Sequence, residues 1–220
     1  MKNIILLIIT ISTILFSCSF DEQEKHSSDE SYINYLLRFK KENDSTMVDN
    51  FPTKINSIEY FIAKKNDVEK NDVGLILFQF DLGTNFIDSL KNSLKNKKLV
   101  GYYKSSDTCL IVINKYETTE SYNNNTIPAI KDSSTINRPC YDEKYPIPNF
   151  IDYNANYYSS TDLKLDNTFE LFIIETNNEK NEKYDLKPNF QMPKMWKNGY
   201  SKGIAISQAN KTVIYWSVIW

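Results

Sequence analysis

Six aromatic side chains, Tyr141, Tyr145, Phe150, Tyr153, Tyr157 and Tyr158, fall within the stretch YDEKYPIPNFIDYNANYYSSTD (141–162), beside the carboxylates of Asp142, Glu143, Asp152 and Asp162. Aromatic faces ringed by carboxylates and amides are a common way to hold a sugar or a peptide at a protein surface. The same residues would equally make a long loop whose rings pack down on a sheet. Neighbouring acids such as Asp142 and Glu143 raise the prospect of glycoside hydrolysis, which needs two carboxylates opposed across a cleft at about 5–9.5 Å. Adjacency in sequence does not supply that geometry. The single histidine, His26, lies in an acidic stretch near the N terminus. The rest of the chain has no imidazole to serve as general base, metal ligand or nucleophile activator, which argues against Ser-His-Asp, Cys-His and His-based zinc chemistry. Catalysis would have to run on carboxylates, Lys or Tyr.

Within the same stretch, Asp152-x-Asn154-x-Asn156 resembles the opening of a calcium loop, with oxygen ligands at alternate positions. Tyr157 stands where such a loop turns on Gly, and Leu163 where a bidentate Glu closes the cage, so no metal or other cofactor is expected. Asp44-Ser45-Thr46 and Asp88-Ser89-Leu90 resemble the short Asp-Ser/Thr-apolar sequences that some Gram-negative bacteria O-glycosylate on exported proteins. Ser45, expected in a loop, is the better acceptor of the two.

The N terminus sets the context. Met1-Lys2-Asn3 is a short cationic start, and the run Ile4 to Phe16 is uncharged. Thirteen residues are too few to cross a bilayer, which takes about 20, but they fit the apolar core of a secretory signal. Leu15-Phe16-Ser17-Cys18 resembles the lipobox of bacterial lipoproteins. That resemblance implies cleavage before Cys18, a diacylglycerol thioether on its sulfur and a further acyl chain on the new amino terminus. Two or more chains anchor stably, so the chain would be tethered to the membrane without spanning it. Ser19 after the cysteine resembles the outer-membrane sorting residue of Gram-negative lipoproteins. Asp21, Glu22 and Glu24 resemble the acidic tags that bring some of them to the cell surface; the same acids also suit a plain solvated tether.

With Cys18 lipidated, Cys109 and Cys140 remain as an even pair in an exported chain, expected as a disulfide, with two free buried thiols as the alternative. No Cys-x-x-Cys pair is present, which disfavours thiol-redox chemistry. Lys and Arg number 26 against 28 Asp and Glu, so nothing points to a nucleic-acid partner. The abundance of Asn and Lys is read as base bias.

The elements that would position these groups follow from periodicity. Ser31 to Asn43 reads as an amphipathic helix with Tyr32, Leu36 and Phe39 inward, and Ser57 to Lys64 as a shorter helix. Val73 to Phe80 is apolar on both alternating faces, as an interior strand must be. Asn85 to Lys97 reads as a helix with a capping-box-like Asn85/Asp88 pair and a Phe86–Leu90–Leu94 stripe. Leu99 to Lys104 and Thr108 to Lys115 read as a hairpin, Glu117 to Asn167 shows little periodicity, and Phe169 to Thr176 is a further strand. Pro188 to Tyr200 reads as a loop carrying Met192, Met195 and Trp196. Lys202 to Ser207 and Thr212 to Trp220 form a closing hairpin. In the last strand Ile214, Trp216, Val218 and Trp220 share one face while Val213, Tyr215 and Ile219 share the other, which places it inside the sheet.

The expected organisation is a signal peptide (1–17), an acidic tether (18–30) and one α+β domain (31–220), with about six mixed or antiparallel strands and about three helices. The expected role is that of a lipid-anchored, outer-membrane lipoprotein, which the acidic tag would bring to the cell surface, that binds a glycan, a peptide or a protein without catalysis. A periplasm-facing immunity-type protein and a carboxylate-dependent hydrolase are the alternatives.

Overall fold

The computed structural model describes residues 29–55, 58–64, 72–118, 121, 126, 130, 134, 136–150 and 163–220. The signal segment, Cys18 and His26 lie outside them. The chain runs α1 (Asp29–Glu42), β1 (Ile58–Lys64), β2 (Val73–Phe80), α2 (Thr84–Lys95), β3 (Gly101–Lys104), β4 (Val112–Ile113), β5 (Ile147–Pro148), β6 (Glu170–Asn177), β7 (Tyr200–Ser207) and β8 (Thr212–Ile219). Short 3-10 turns occur at Ser45–Val48, Pro139–Tyr141 and Lys194–Trp196.

Every residue of β7 and β8 is buried. A strand apolar on both sides needs neighbours along both edges and covers over both faces. The first need is met by a six-stranded antiparallel sheet in the order β1-β2-β8-β7-β6-β3, with the C-terminal hairpin at its centre. The second divides the core in two. On one face Val213, Tyr215 and Ile219 pack with Tyr32, Leu36 and Phe39 of α1 and Ile87 and Leu94 of α2. On the other, Ile214, Trp216, Val218 and Trp220 pack with Leu110–Ile113, Ile147, Phe150, Leu163, Met192 and Trp196. That second cover is a layer of loops with one small parallel pair, β4 with β5.

The fold is α+β, and the central hairpin and the two faces of its last strand are as the alternation predicts. Three local expectations are corrected. Ser57 to Lys64 is not a helix: Ile58–Lys64 is β1 and pairs along its whole length with β2. Seven residues rich in Ile, Tyr and Phe gain little from an isolated helix, while an antiparallel ladder satisfies their backbone. Among the described residues two α-helices therefore stand where about three were expected. The 99–115 hairpin is also absent: β3 pairs with β6 at the sheet edge, and Val112–Ile113 leaves to pair with β5. Alternation marks a strand but does not name its partner. In α2 the buried residues are Ile87 and Leu94, Phe86 is exposed, and the N-cap is Gly83 without a side-chain hydrogen bond. The Asn85/Asp88 box does not form the cap because the helix already begins at Thr84.

Gly203 faces Trp216 across the β7–β8 pair, and a Cβ there would collide with the indole ring and with the Phe172 carbonyl oxygen. At Gly83 a Cβ would meet nothing within 4 Å. Gly203→Ala should therefore lower stability by about 1–3 kcal/mol through overpacking. Gly83→Ser should raise it by a few tenths of a kcal/mol, roughly the Gly-to-Ser cap difference. Urea midpoints at constant m would read both; an unmoved midpoint for Gly203→Ala would sink the close packing claimed for Trp216.

Candidate functional site

The loop cover carries the sequence-predicted residues, and its own chemistry explains how they are held. Cys109 and Cys140 lie at disulfide distance, with Cα atoms 6.0 Å apart. Beside them an Arg138 Nη1 donates to the Thr108 carbonyl at 3.0 Å. The two links pin the Pro139–Tyr141 turn onto the segment leading into β4. Tyr141 is thereby buried against the core, with the Arg138 guanidinium 5.7 Å from its ring centre.

Tyr145 is half-buried, meets Trp196 edge-on at 6.2 Å, and its backbone N–H donates to the Tyr103 hydroxyl at 3.0 Å. Burial above all pushes the Tyr103 phenol up, and the Lys144 ammonium sits 4.7 Å from its ring centre. Phe150 is fully buried and meets Trp216 edge-on at 5.5 Å. Its ring belongs to the core and offers no face to a ligand, which removes it from the expected aromatic set. Tyr153, Tyr157 and Tyr158, and the calcium-like Asp152, Asn154 and Asn156, lie outside the described residues. Asp142 and Glu143 are both exposed, in the turn that follows Tyr141. Ser45 is exposed in a 3-10 turn whose N-cap, Asp44, accepts from Thr46 N at 2.9 Å. That contact, with the Thr46 hydroxyl, pulls the Asp44 carboxyl below its ordinary range.

Sequence reasoning missed a buried polar network under this layer. Asn114, at φ 52°, is its hub. Its Nδ2 donates to Asp72 Oδ2 at 3.1 Å, its Oδ1 accepts from Asn189 Nδ2 at 2.7 Å, and its carbonyl accepts from Asn149 Nδ2 at 2.5 Å. Asn149 Nδ2 also reaches Glu117 Oε2 at 3.4 Å. Asn189 Oδ1 accepts from Gln191 N at 2.9 Å, and Gln191 Oε1 accepts from Tyr116 N at 3.3 Å. Buried amides and acids are costly unless paired, and here each joins one loop to another. The sequence signal was an Asn directly after the apolar run Leu110–Ile113, which the general excess of Asn concealed.

Beside the network is a small cavity, with room for about one water molecule, lined by Ile111, Val112, Lys115, Tyr116, Tyr141, Gln191 and Pro193. Its chemistry is that of a small polar-aromatic seat: two phenol rings, one amide and one ammonium over an aliphatic floor. Gln191 and Tyr116 belong both to the seat and to the network, so the network sets their position. Tyr141 and Gln191 are buried, so the chemistry offered outward is that of the half-buried Lys115 and Tyr116, which can pair with a carboxylate or a carbonyl. Of the sequence-predicted residues that are described, Tyr141 alone is among the lining residues.

A second polar cluster lies on the helical face. Lys202, buried to 3% exposure in the middle of the sheet, donates to Thr46 O at 2.6 Å and pairs with Asp49 at 3.0 Å and Glu175 at 2.9 Å. Burial, then the Glu175 carboxylate, drives the neighbouring Tyr200 phenol upward. With three acceptors on one ammonium, the cluster acts as a clamp between the 45–48 turn and the sheet.

Replacing both Cys109 and Cys140 by Ala should cost about 3–4 kcal/mol in the chain-entropy account of a bridge closing roughly 30 residues. Urea unfolding with and without reductant would read it, and a variant insensitive to reductant yet as stable as the parent would rule the bridge out. Asp49→Asn with Glu175→Gln should cost about 3–5 kcal/mol, because a buried ammonium loses both counter-charges. Lys202→Met should cost less, since Asp49 and Glu175 are 59% and 51% exposed and remain hydrated. The reverse order in thermal unfolding would show that the clamp is not electrostatic. Compared with protein-family models, with curated proteins and with solved structures, the chain matches none.

Proposed function

We propose that this chain is a lipid-anchored envelope lipoprotein whose single domain binds a glycan, peptide or protein ligand without catalysis. The anchoring half of the reading rests on Leu15-Phe16-Ser17-Cys18 after a charged start and a short apolar run. The binding half rests on one observation, the seat formed by Lys115, Tyr116, Tyr141 and Gln191 over a hydrogen-bonded buried network. A seat fixed from beneath loses little side-chain freedom when a ligand arrives, which favours recognition at a small contact area. Cys109 and Cys140 support export, since disulfides persist in oxidising compartments. Ser19 and the acids Asp21, Glu22 and Glu24 favour the outer membrane and its outer surface.

Labelled palmitate should enter the chain and be lost in Cys18→Ala; incorporation that persists would defeat the lipid anchor. Protease added to intact cells, with a tag at 123–125, should digest the domain, whereas protection until the outer membrane is opened would place it in the periplasm and favour the immunity-type reading. On arrays of envelope glycans and peptides, Lys115→Ala should weaken retention roughly tenfold, as loss of a central contact does. Retention indifferent to Lys115 and Gln191 would move the binding face elsewhere.

A further inference from the structure

Next to the seat, the chain makes a closed loop. Asn189 N donates to Lys197 O at 2.7 Å, Met192 N to Asn189 O at 3.2 Å and Trp196 N to Pro193 O at 2.8 Å. Met192 and Trp196 point into the core and fix the loop from below, and Trp196 O accepts from the Trp220 indole at 2.9 Å. Between these anchors Phe190 and Met195 stand outward, 44% and 54% exposed. A loop with this many internal bonds has no need to leave two large apolar side chains in water. Lys187, Lys194 and Lys197 flank them along the chain, and no acid occurs from Lys187 to Gly199. Lys194 N is held by Asn137 Oδ1 at 3.1 Å. Lys197 Nζ bonds the Phe190 carbonyl at 3.2 Å, and burial pulls its ammonium below the usual lysine range. The bond from Asn178 Nδ2 to Met195 O places the 178–179 turn alongside, and Glu179 is the acid it carries.

Apolar side chains raised between lysines on a fixed backbone match the chemistry of a bilayer interface: acyl chains below, anionic headgroups around. We propose that the 187–197 loop is a membrane-contact surface, with Phe190 and Met195 entering the interface of an anionic phospholipid bilayer and Lys187, Lys194 and Lys197 lying against its phosphates. The inference rests on the anchored reading in one respect. The eleven residue-to-residue steps from Cys18 to Asp29 span at most about 36–40 Å, against a radius of gyration of roughly 16 Å for a domain of this size. Fully extended, the tether is about as long as the domain is wide, and it keeps the effective concentration of that membrane high. The loop would then decide which face turns down, and with it whether the adjacent seat is presented sideways along the membrane.

The test uses the full chain reconstituted into vesicles of phosphatidylcholine with or without phosphatidylglycerol. A photoreactive benzophenone is placed by Phe190→benzoylphenylalanine, by Met195→benzoylphenylalanine and, as the reference, by Leu37→benzoylphenylalanine on α1, on the opposite face of the sheet. Flotation of the chain with the vesicles reads the anchor, and the adducts read the loop, so the two fail separately. Lipid adducts from positions 190 and 195 should exceed those from 37 when phosphatidylglycerol is present. They should fall roughly fivefold for each of Lys187→Gln and Lys194→Gln. Equal adducts from all three positions, adducts to another protein in place of lipid, or indifference to phosphatidylglycerol would overturn the proposal.

Discussion

The structure depends on one constraint: the C-terminal hairpin is apolar on both faces, so both faces must be covered. Trp216 states it most sharply. Its ring lies over Gly203, where no side chain intrudes, and meets Phe150 edge-on, while its indole N–H donates to Ser201 Oγ at 3.1 Å. Ser201 Oγ in turn donates to the Pro146 carbonyl at 2.8 Å. One buried side chain thus ties the central strands to the loop layer by packing and by a relay of two hydrogen bonds. A buried aromatic removes about 150–250 Å² from water, worth at most some 4–6 kcal/mol. Phe150, Trp196, Trp216 and Trp220 together therefore outweigh a disulfide of about 3–4 kcal/mol.

Helices meet the demand on one face simply, because an amphipathic helix satisfies its own backbone. The other face is covered mostly by irregular chain, whose peptide groups must find partners elsewhere. The Asn114 hub, the Asn149 and Asn189 amides and the pairing of β4 with β5 answer that need. The polar network is thus a consequence of covering a sheet with loops. It also holds the buried Gln191 and the half-buried Tyr116 in place where the candidate seat lies.

The residues that sequence reasoning read well were those in long periodic runs. Tyr32, Leu36 and Phe39 are inward, and the two faces of β8 separate as alternation predicts, because period and burial are coupled directly. Ile58–Lys64 was misread since Ile, Phe and Ile fall near helical spacing in a run too short to discriminate. Among the candidate ligand aromatics, Phe150 was indistinguishable from its neighbours in sequence, and only its contact with Trp216 makes it core. Asn149 and Asn189 carried no signal, and that of Asn114, an Asn directly after an apolar run, was hidden among many asparagines.

What the chain determined by itself is local or compositional. The short apolar start ending at Cys18, the shortage of imidazole, the balanced charge and the two-faced final strand each follow from residue types at fixed spacing. What only the tertiary structure decided is partnership: β3 with β6 rather than with the segment after it, Cys109 beside Cys140, and Tyr116 beside Gln191 across 75 positions of chain. The physical reason is that a side-chain period specifies a face. The choice of what meets that face depends on which distant segments can bury apolar area together while leaving no backbone group unpaired, and that is settled only when the whole chain closes.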